Sequence, residues 1–226
     1  MSVPSFNSYT KYFQQPEADG YPIHLIEMGH LALPSGEIIA SDPFTSYQQQ
    51  PFSKQVMPGS YPVTLAVATI EEHHYRVGLA KVTFSETPAT QWELAVSADI
   101  LPEEWATLAP NEFIGYEVES GLGLFVDAQV NEHYVRVLDE FYNKREKANY
   151  YTEVLAKEFA SFSGKHPQSR NLGDWNVHCP TTDPNLNVMM FATGWGDGVF
   201  PSYWGLDEED NIVELITDFL VFGSFD

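Results

Sequence analysis

The densest grouping of residues with chemical potential is Thr193-Gly-Trp-Gly-Asp-Gly198, followed by Phe200-Pro-Ser-Tyr-Trp-Gly205. Three glycines around Trp195 and Asp197 would let backbone amides approach a ligand closely, with Trp195 or Trp204 as an apolar wall. The same composition makes a tight turn with its aromatics in the core, and this is the default reading because Gly and Asp are the ordinary turn residues. Neither nucleotide fingerprint applies, since the Lys-Ser/Thr ending of a phosphate loop is missing and no helix follows.

Asp42, Asp127, Asp197 and Asp218 each sit beside an expected strand or turn. If they converged they would offer hard-cation ligands or an acid/base pair, whereas aspartates at strand ends more often bind backbone amides. A small-ligand, metal-binding or enzymatic reading therefore rests on Asp127, Trp195, Asp197 and Trp204. The run Asp207, Glu208, Glu209, Asp210 lacks the alternating spacing and distal Glu of a calcium loop and reads as a solvated hairpin tip. His73 and His74 are adjacent, so a strand would send them to opposite faces, which ill suits one zinc ion. His178-Cys179 has no second Cys at metal spacing, and its thiol is expected to be packed. Gly-x-Ser-x-Gly and His-Glu-x-x-His are both absent. Lys144, Arg145 and Lys147 form the basic cluster, expected as a solvated helix face. No catalytic set, metal or cofactor is implied.

The elements that must position these residues are mostly strands. Residues 1–22, with Pro4, Pro16, Gly20 and Pro22, read as an irregular arm ordered by docking, and 23–226 as a single α+β domain. Strands are expected at Ile23–Met28 and His30–Leu33, the latter turning at Pro34-Ser-Gly36 into a hairpin with Glu37–Ala40. Further strands are expected at Tyr61–Thr69, Tyr75–Phe84, Trp92–Ser97 and Leu124–Val130, with a helical turn at Pro102–Leu108. Apolar spacing of three and four, without Gly or Pro, predicts one long or bent helix over about 132–162, capped by Asn131 and closed at Gly164; the stripe loses phase across Asn143–Lys147, so the region is either bent or two helices. A long loop over Lys165–Asn187 precedes strands at Val188–Thr193, Phe200–Leu206 and Ile212–Phe222. The expected fold is thus a largely antiparallel sheet with that helix packed against it.

Composition limits the partners. The chain has 226 residues with 11 Lys+Arg against 32 Asp+Glu, a formal charge of −21. Such a field repels phosphate backbones and anionic lipid, which disfavours nucleic-acid or membrane-surface roles unless the few cations gather on one face. A hydrophobic fraction of 43% supplies a core that disordered acidic chains lack. Cys179 is the single cysteine, so no internal disulfide forms, and with no apolar leader a cytoplasmic location is expected.

Gly29-His-Leu-Ala-Leu-Pro-Ser-Gly36 with Ala40-Ser-Asp-Pro43, Pro58-Gly-Ser-Tyr-Pro-Val63, Trp92-Glu-Leu-Ala95, Gly115-Tyr116, Gly121-Leu-Gly123 with Asp127, Thr193-Gly-Trp-Gly-Asp-Gly198 with Tyr203-Trp-Gly-Leu-Asp207, and Thr217-Asp-Phe219 form an ordered series. It resembles the bacterial domain-of-unknown-function family 4241 over about residues 29–222. The resemblance carries no catalytic roles. Size, charge and the missing catalytic signatures are similar to those of immunity proteins of bacterial toxin systems. The functional expectation is an acidic cytosolic protein that covers the active or substrate-access site of a basic toxin, with Asp207, Glu208, Glu209 and Asp210 as the partner-binding surface.

Overall fold

The computed structural model describes residues 8–109, 112–165 and 175–222. Residues 1–7 of the expected arm and 166–174 of the expected long loop lie outside them. In chain order the described strands are β1 (Glu17–Ala18), β2 (Tyr21–Leu33), β3 (Ile38–Ser41), β4 (Gly59–Glu71), β5 (His74–Thr83), β6 (Gln91–Ala95), β7 (Tyr116–Val118), β8 (Leu122–Asp127), β9 (Trp175–His178), β10 (Val188–Ala192), β11 (Gly198–Phe200), β12 (Ser202–Leu206) and β13 (Ile212–Asp218). The α-helices are α1 (Thr10–Gln14), α2 (Pro102–Trp105), α3 (Ala128–Lys144) and α4 (Ala156–Lys165). The strands form a seven-stranded sheet in the order β1-β2-β4-β5-β13-β12-β6, a four-stranded sheet β3-β8-β10-β9 and a β11-β7 ribbon. Antiparallel pairing dominates, and the large sheet curls into half a barrel.

Three layers follow from the side-chain alternation of the middle one. Phe125 of β8 with Met189 and Phe191 of β10 join Leu31, Leu65, Val77, Leu215 and Phe219 in a core shared with the large sheet. The intervening Leu124, Val126, Val188 and Met190 face the other way, against Val130, Tyr134 and Leu138 of α3 and Phe159 of α4. Both faces of β8 and β10 are buried, which is why their sequences are nearly unbroken apolar runs.

Several expectations are corrected. Ile23–Met28 and His30–Leu33 are one 13-residue strand, β2, interrupted by a bulge between Glu27 and Gly29. The expected hairpin after Leu33 does not form: β2 pairs with β4, and β3 pairs with β8 in the other sheet. Pro34-Ser35-Gly36 is therefore a corner that carries the chain between sheets. Inside the segment read as an irregular arm, α1 and β1 are regular, and Tyr9 and Tyr12 are buried against the large sheet, with Tyr12 stacked on Phe222 at 4.3 Å.

Of the two readings of the helical region, a bend or two helices, the structure has two helices. α3 ends at Lys144, residues 145–149 break it, and a π-helical turn, Tyr151–Leu155, runs straight into α4. Asn149 Oδ1 accepts from Thr152 N at 2.9 Å, giving the second helix its own cap. The cap of α3 is Asp127, not Asn131, and α4 continues past Gly164 to Lys165. Asn131 lies buried within α3 and donates to the Ser46 carbonyl at 3.2 Å. Part of the expected loop after α4 is strand β9, paired with β10.

Candidate functional site

Trp195 stands on a turn tied at both ends. Gly194 N donates to Val77 O at 3.1 Å, Gly196 N to Thr193 O at 2.7 Å, and Thr193 Oγ1 to Gly196 O at 2.8 Å. Gly194 has φ of +45°, and a Cβ there would lie 2.6 Å from Phe219 O, so glycine is required by conformation and by space. The turn leaves Trp195 58% exposed. Its ring meets His74 edge-on at 5.9 Å, and the Arg76 guanidinium lies over it at 5.2 Å. Exposed carboxylates stand on the adjoining elements: Glu71 and Glu72 on the β4–β5 tip, Glu117 and Glu119 on β7 and its following turn, and Asp197 on the Trp195 turn itself. Glu117 is opposite Val199 in the β7–β11 ladder, and Val199 is also exposed.

Trp204 is not part of that surface. It is 1% exposed and packs edge-on against Phe52 at 5.7 Å inside the core of the large sheet. The four aspartates are each engaged or placed separately. Asp42 accepts from Phe44 N, Glu119 N and Ser120 N at 2.8 to 3.0 Å. Fully buried Asp127 caps α3 through Gln129 N at 2.9 Å and holds the corner through Ser35 N at 2.9 Å and Ser35 Oγ at 2.8 Å. Asp218 accepts from Tyr9 OH at 3.0 Å and Leu220 N at 2.8 Å, and burial pushes its carboxyl up to about 6. Asp197 is exposed. Asp127 and the Trp195 turn are at opposite ends of β8, because Gly196 adjoins Gly121, just before β8 begins. Among the described residues no group of three or more His, Cys, Asp or Glu is arranged to hold a metal ion.

The acidic run is a hairpin tip between β12 and β13, but its members differ. Asp207 Oδ1 accepts from Glu209 N and Asn211 N, both at 2.9 Å, and these bonds hold its carboxyl below the ordinary range. Asp207 therefore builds the turn, and Glu208, Glu209 and Asp210 present charge. This tip and Trp195 are at opposite ends of the large sheet: Trp195 packs beside the first residues of β5, whereas Glu214, just after the tip, pairs with Thr83 at its last.

A third constellation escaped sequence reasoning. His178, buried on β9, directs Nδ1 at Glu158 Oε2 of α4 at 2.9 Å, and Asn176 Nδ2 donates to the same oxygen at 2.8 Å. With Nδ1–H given to the carboxylate, Nε2 is left to accept from Tyr150 OH, 3.1 Å away. Burial would raise the Glu158 pKa, but the bonds from His178 and Asn176 outweigh it and hold the carboxylate below its ordinary range. Burial first, and then the Glu158 charge, push the Tyr150 phenol up to about 12, so it is protonated at neutral pH. Tyr150 also lines a groove of about 620 Å³ between α3 and Pro180-Thr181. Adjacent Cys179 is exposed, not packed, and burial of part of it, with Glu158 and Asp183 nearby, raises its pKa. The raised value opposes a reactive thiolate.

The family profile described as "Protein of unknown function (DUF4241)" matches residues 31–217. The chain belongs to the DUF4241 family. No curated protein and no solved structure matches it. The DUF4241 match begins within β2 and ends within β13, so it encloses the Trp195 turn, the acidic tip and the Glu158–His178–Tyr150 chain. In this DUF4241 protein the last of these depends on β9, which falls inside the expected Lys165–Asn187 loop. The alternation of Trp175 and Val177 with Asn176 and His178 was the available signal, since period two sends Asn176 and His178 to one face. Among the described residues no helix is long and apolar enough to cross a membrane.

Proposed function

We propose that this DUF4241 protein is a protein-binding protein that captures a basic partner, most concretely an immunity protein that neutralises a bacterial toxin by covering its active or substrate-access site. The observation that carries the reading is Trp195, 58% exposed on a turn tied at both ends, with exposed acids on the adjoining elements, in a chain of charge −21. Tryptophan is a favoured interface anchor because a large rigid ring is desolvated at little entropic cost. Net charge of one sign steers a cationic partner into encounter and repels anionic competitors. Glu208, Glu209 and Asp210 add a second acidic face about 30 Å away along β5 and β13, suited to long-range steering more than to direct contact with the same anchor.

The test is affinity capture of the tagged protein from its native lysate at low and moderate salt, in parallel with Trp195→Ala. A stoichiometric basic protein that is toxic when expressed alone, is rescued by co-expression and is lost with Trp195→Ala supports the reading. Capture that is indifferent to Trp195 and to charge, or a captured protein without toxicity, counts against it.

A further inference from the structure

Three of the residues lining the groove beside Tyr150 are Arg136, Lys144 and Arg145, with His133 beside them, and one, Glu140, is acidic. In a chain with 32 acids to 11 bases this inverts the composition of the surface as a whole. The carboxylate of Glu140 is taken up by Lys144 at 3.1 Å, and Arg145 pairs with Glu153 at 2.5 Å. Arg136 differs. It donates to the Glu132 carbonyl and to His133 Nδ1, and among the described residues it has no carboxylate partner. Its remaining N–H groups are those of a planar fork, which matches the oxygens of phosphate.

Between the cations the walls are apolar. Phe141 and Tyr150 meet edge-to-face at 5.0 Å, flanked by Val137 and Val154, and Arg145 lies 5.4 Å over the Phe141 ring. Arg136 and Lys144 are eight residues apart on α3, about 12 Å along its axis. That length and a volume of about 620 Å³ suit a small molecule with one ring and one charged end. The floor is fixed. Tyr150 OH is held by His178, whose other nitrogen is held by Glu158, and the wall behind Tyr150 is the π-helical turn, a feature often kept where a helix serves a ligand. The overall charge does not prevent anion binding here: acids more than about 8 Å away are screened at physiological salt, Glu140 and Glu153 are taken up by Lys144 and Arg145, and Arg136 remains as the cation without a carboxylate partner among the described residues.

We infer that the groove between α3, the π-helical turn and Pro180-Thr181 binds a small organic phosphate carrying a planar ring, with Arg136 on the phosphate and Phe141 and Tyr150 against the ring. This stands apart from partner capture, which uses neither Arg136 nor Tyr150. The experiment is calorimetric titration of the full chain with the four nucleoside monophosphates and pyridoxine 5′-phosphate, with inorganic phosphate and adenosine as the two halves. At least one organic phosphate is expected to saturate one site, with each half binding about tenfold weaker or worse. Arg136→Ala is expected to weaken it by about tenfold or more, with Arg136→Lys recovering part of the loss. Arg136 is exposed on α3, so an unchanged melting temperature separates lost binding from lost fold. Tyr150→Phe keeps the ring and is expected to retain most of the affinity. The inference is overturned if none of the five saturates at millimolar concentration, if Arg136→Ala binds as wild type does, or if inorganic phosphate alone binds as tightly as the best organic phosphate.

Discussion

Asp127 shows how an aspartate that reads as a ligand becomes a structural joint. Its two oxygens tie the first turn of α3 to the corner at Ser35, with the carboxylate fully buried. Asp127→Ala removes a helix cap and leaves the Ser35 donors without an acceptor, so a loss of about 2–4 kcal/mol is expected in urea unfolding. Partner capture at the surviving folded fraction should be unchanged, because Trp195 is at the far end of β8. Asp218 carries a different signature. Its carboxyl titrates at about 6 in the folded chain against an ordinary 3.8, because burial disfavours its charge. The native state therefore binds this proton more tightly than the unfolded chain. The contribution to stability is full below about pH 4 and is lost as pH rises through 6, amounting to at most about 3 kcal/mol. Asp218→Asn should remove that slope at the cost of a constant offset, since an amide cannot accept from both Tyr9 OH and Leu220 N as the carboxylate does. The difference in unfolding free energy between wild type and variant, measured from pH 4 to 8, checks it; a difference independent of pH would show that Asp218 does not titrate in this range.

At the level of elements, what was legible depended on whether the determining contact was local. The β4–β5 hairpin is legible with nearly correct bounds because turn and alternation lie in adjacent residues, whereas the expected Phe200–Leu206 strand joins the end of β11 to β12 and the expected Ile212–Phe222 strand overruns β13, which ends at Asp218. The corner at Pro34-Ser35-Gly36 carries the same turn chemistry as a hairpin, yet β3 finds its partner in β8, more than eighty residues on, and nothing local encodes that. The α3–α4 break is legible as the loss of phase over 143–147, but the start of α3 differs from the expected one because Asp127, inside the expected Leu124–Val130 strand, is the cap in place of Asn131. For the candidate surfaces, Trp195, Asp197 and the acidic tip were named from sequence, and the separation of Trp204 from Trp195 was not, since burial of one Trp and exposure of the other depends on which sheet covers them. The corner itself gives a sharp expectation. Gly36 has φ of +77°, and a Cβ there would lie 2.1 Å from Val56 O. Because Val56 N also donates to Gly36 O at 3.0 Å, the loop cannot move away without losing that bond. Gly36→Ala is expected to cost about 3 kcal/mol, read as a lower midpoint of thermal or urea unfolding, whereas Gly20→Ala, also at positive φ but with no atom within 4 Å, should cost less.

For the whole molecule, a charge of −21 and one exposed indole divide the expected binding kinetics between them. Long-range attraction acts before contact, so it accelerates encounter and is weakened by salt, while desolvation of Trp195 acts after contact and governs escape. With the captured basic partner in hand, raising ionic strength from low to well above physiological should slow association by about tenfold or more and change dissociation little. Reversing Glu208, Glu209 and Asp210 to Lys changes the net charge by six and should slow association at low salt with dissociation nearly constant, because this tip is remote from the anchor. Reversing Glu72 and Glu117, exposed on elements that adjoin the Trp195 turn, should instead alter both rates, the signature of carboxylates that enter the contact. Trp195→Ala should leave association within a few-fold of wild type and speed dissociation by about 30-fold, the equivalent of a 2 kcal/mol anchor. Stopped-flow or surface-based kinetics across salt separates these effects. If Trp195→Ala lowered the association rate and spared dissociation, or if association were indifferent to salt, the division of labour between field and anchor would be wrong, and with it the assignment of this surface to a basic partner.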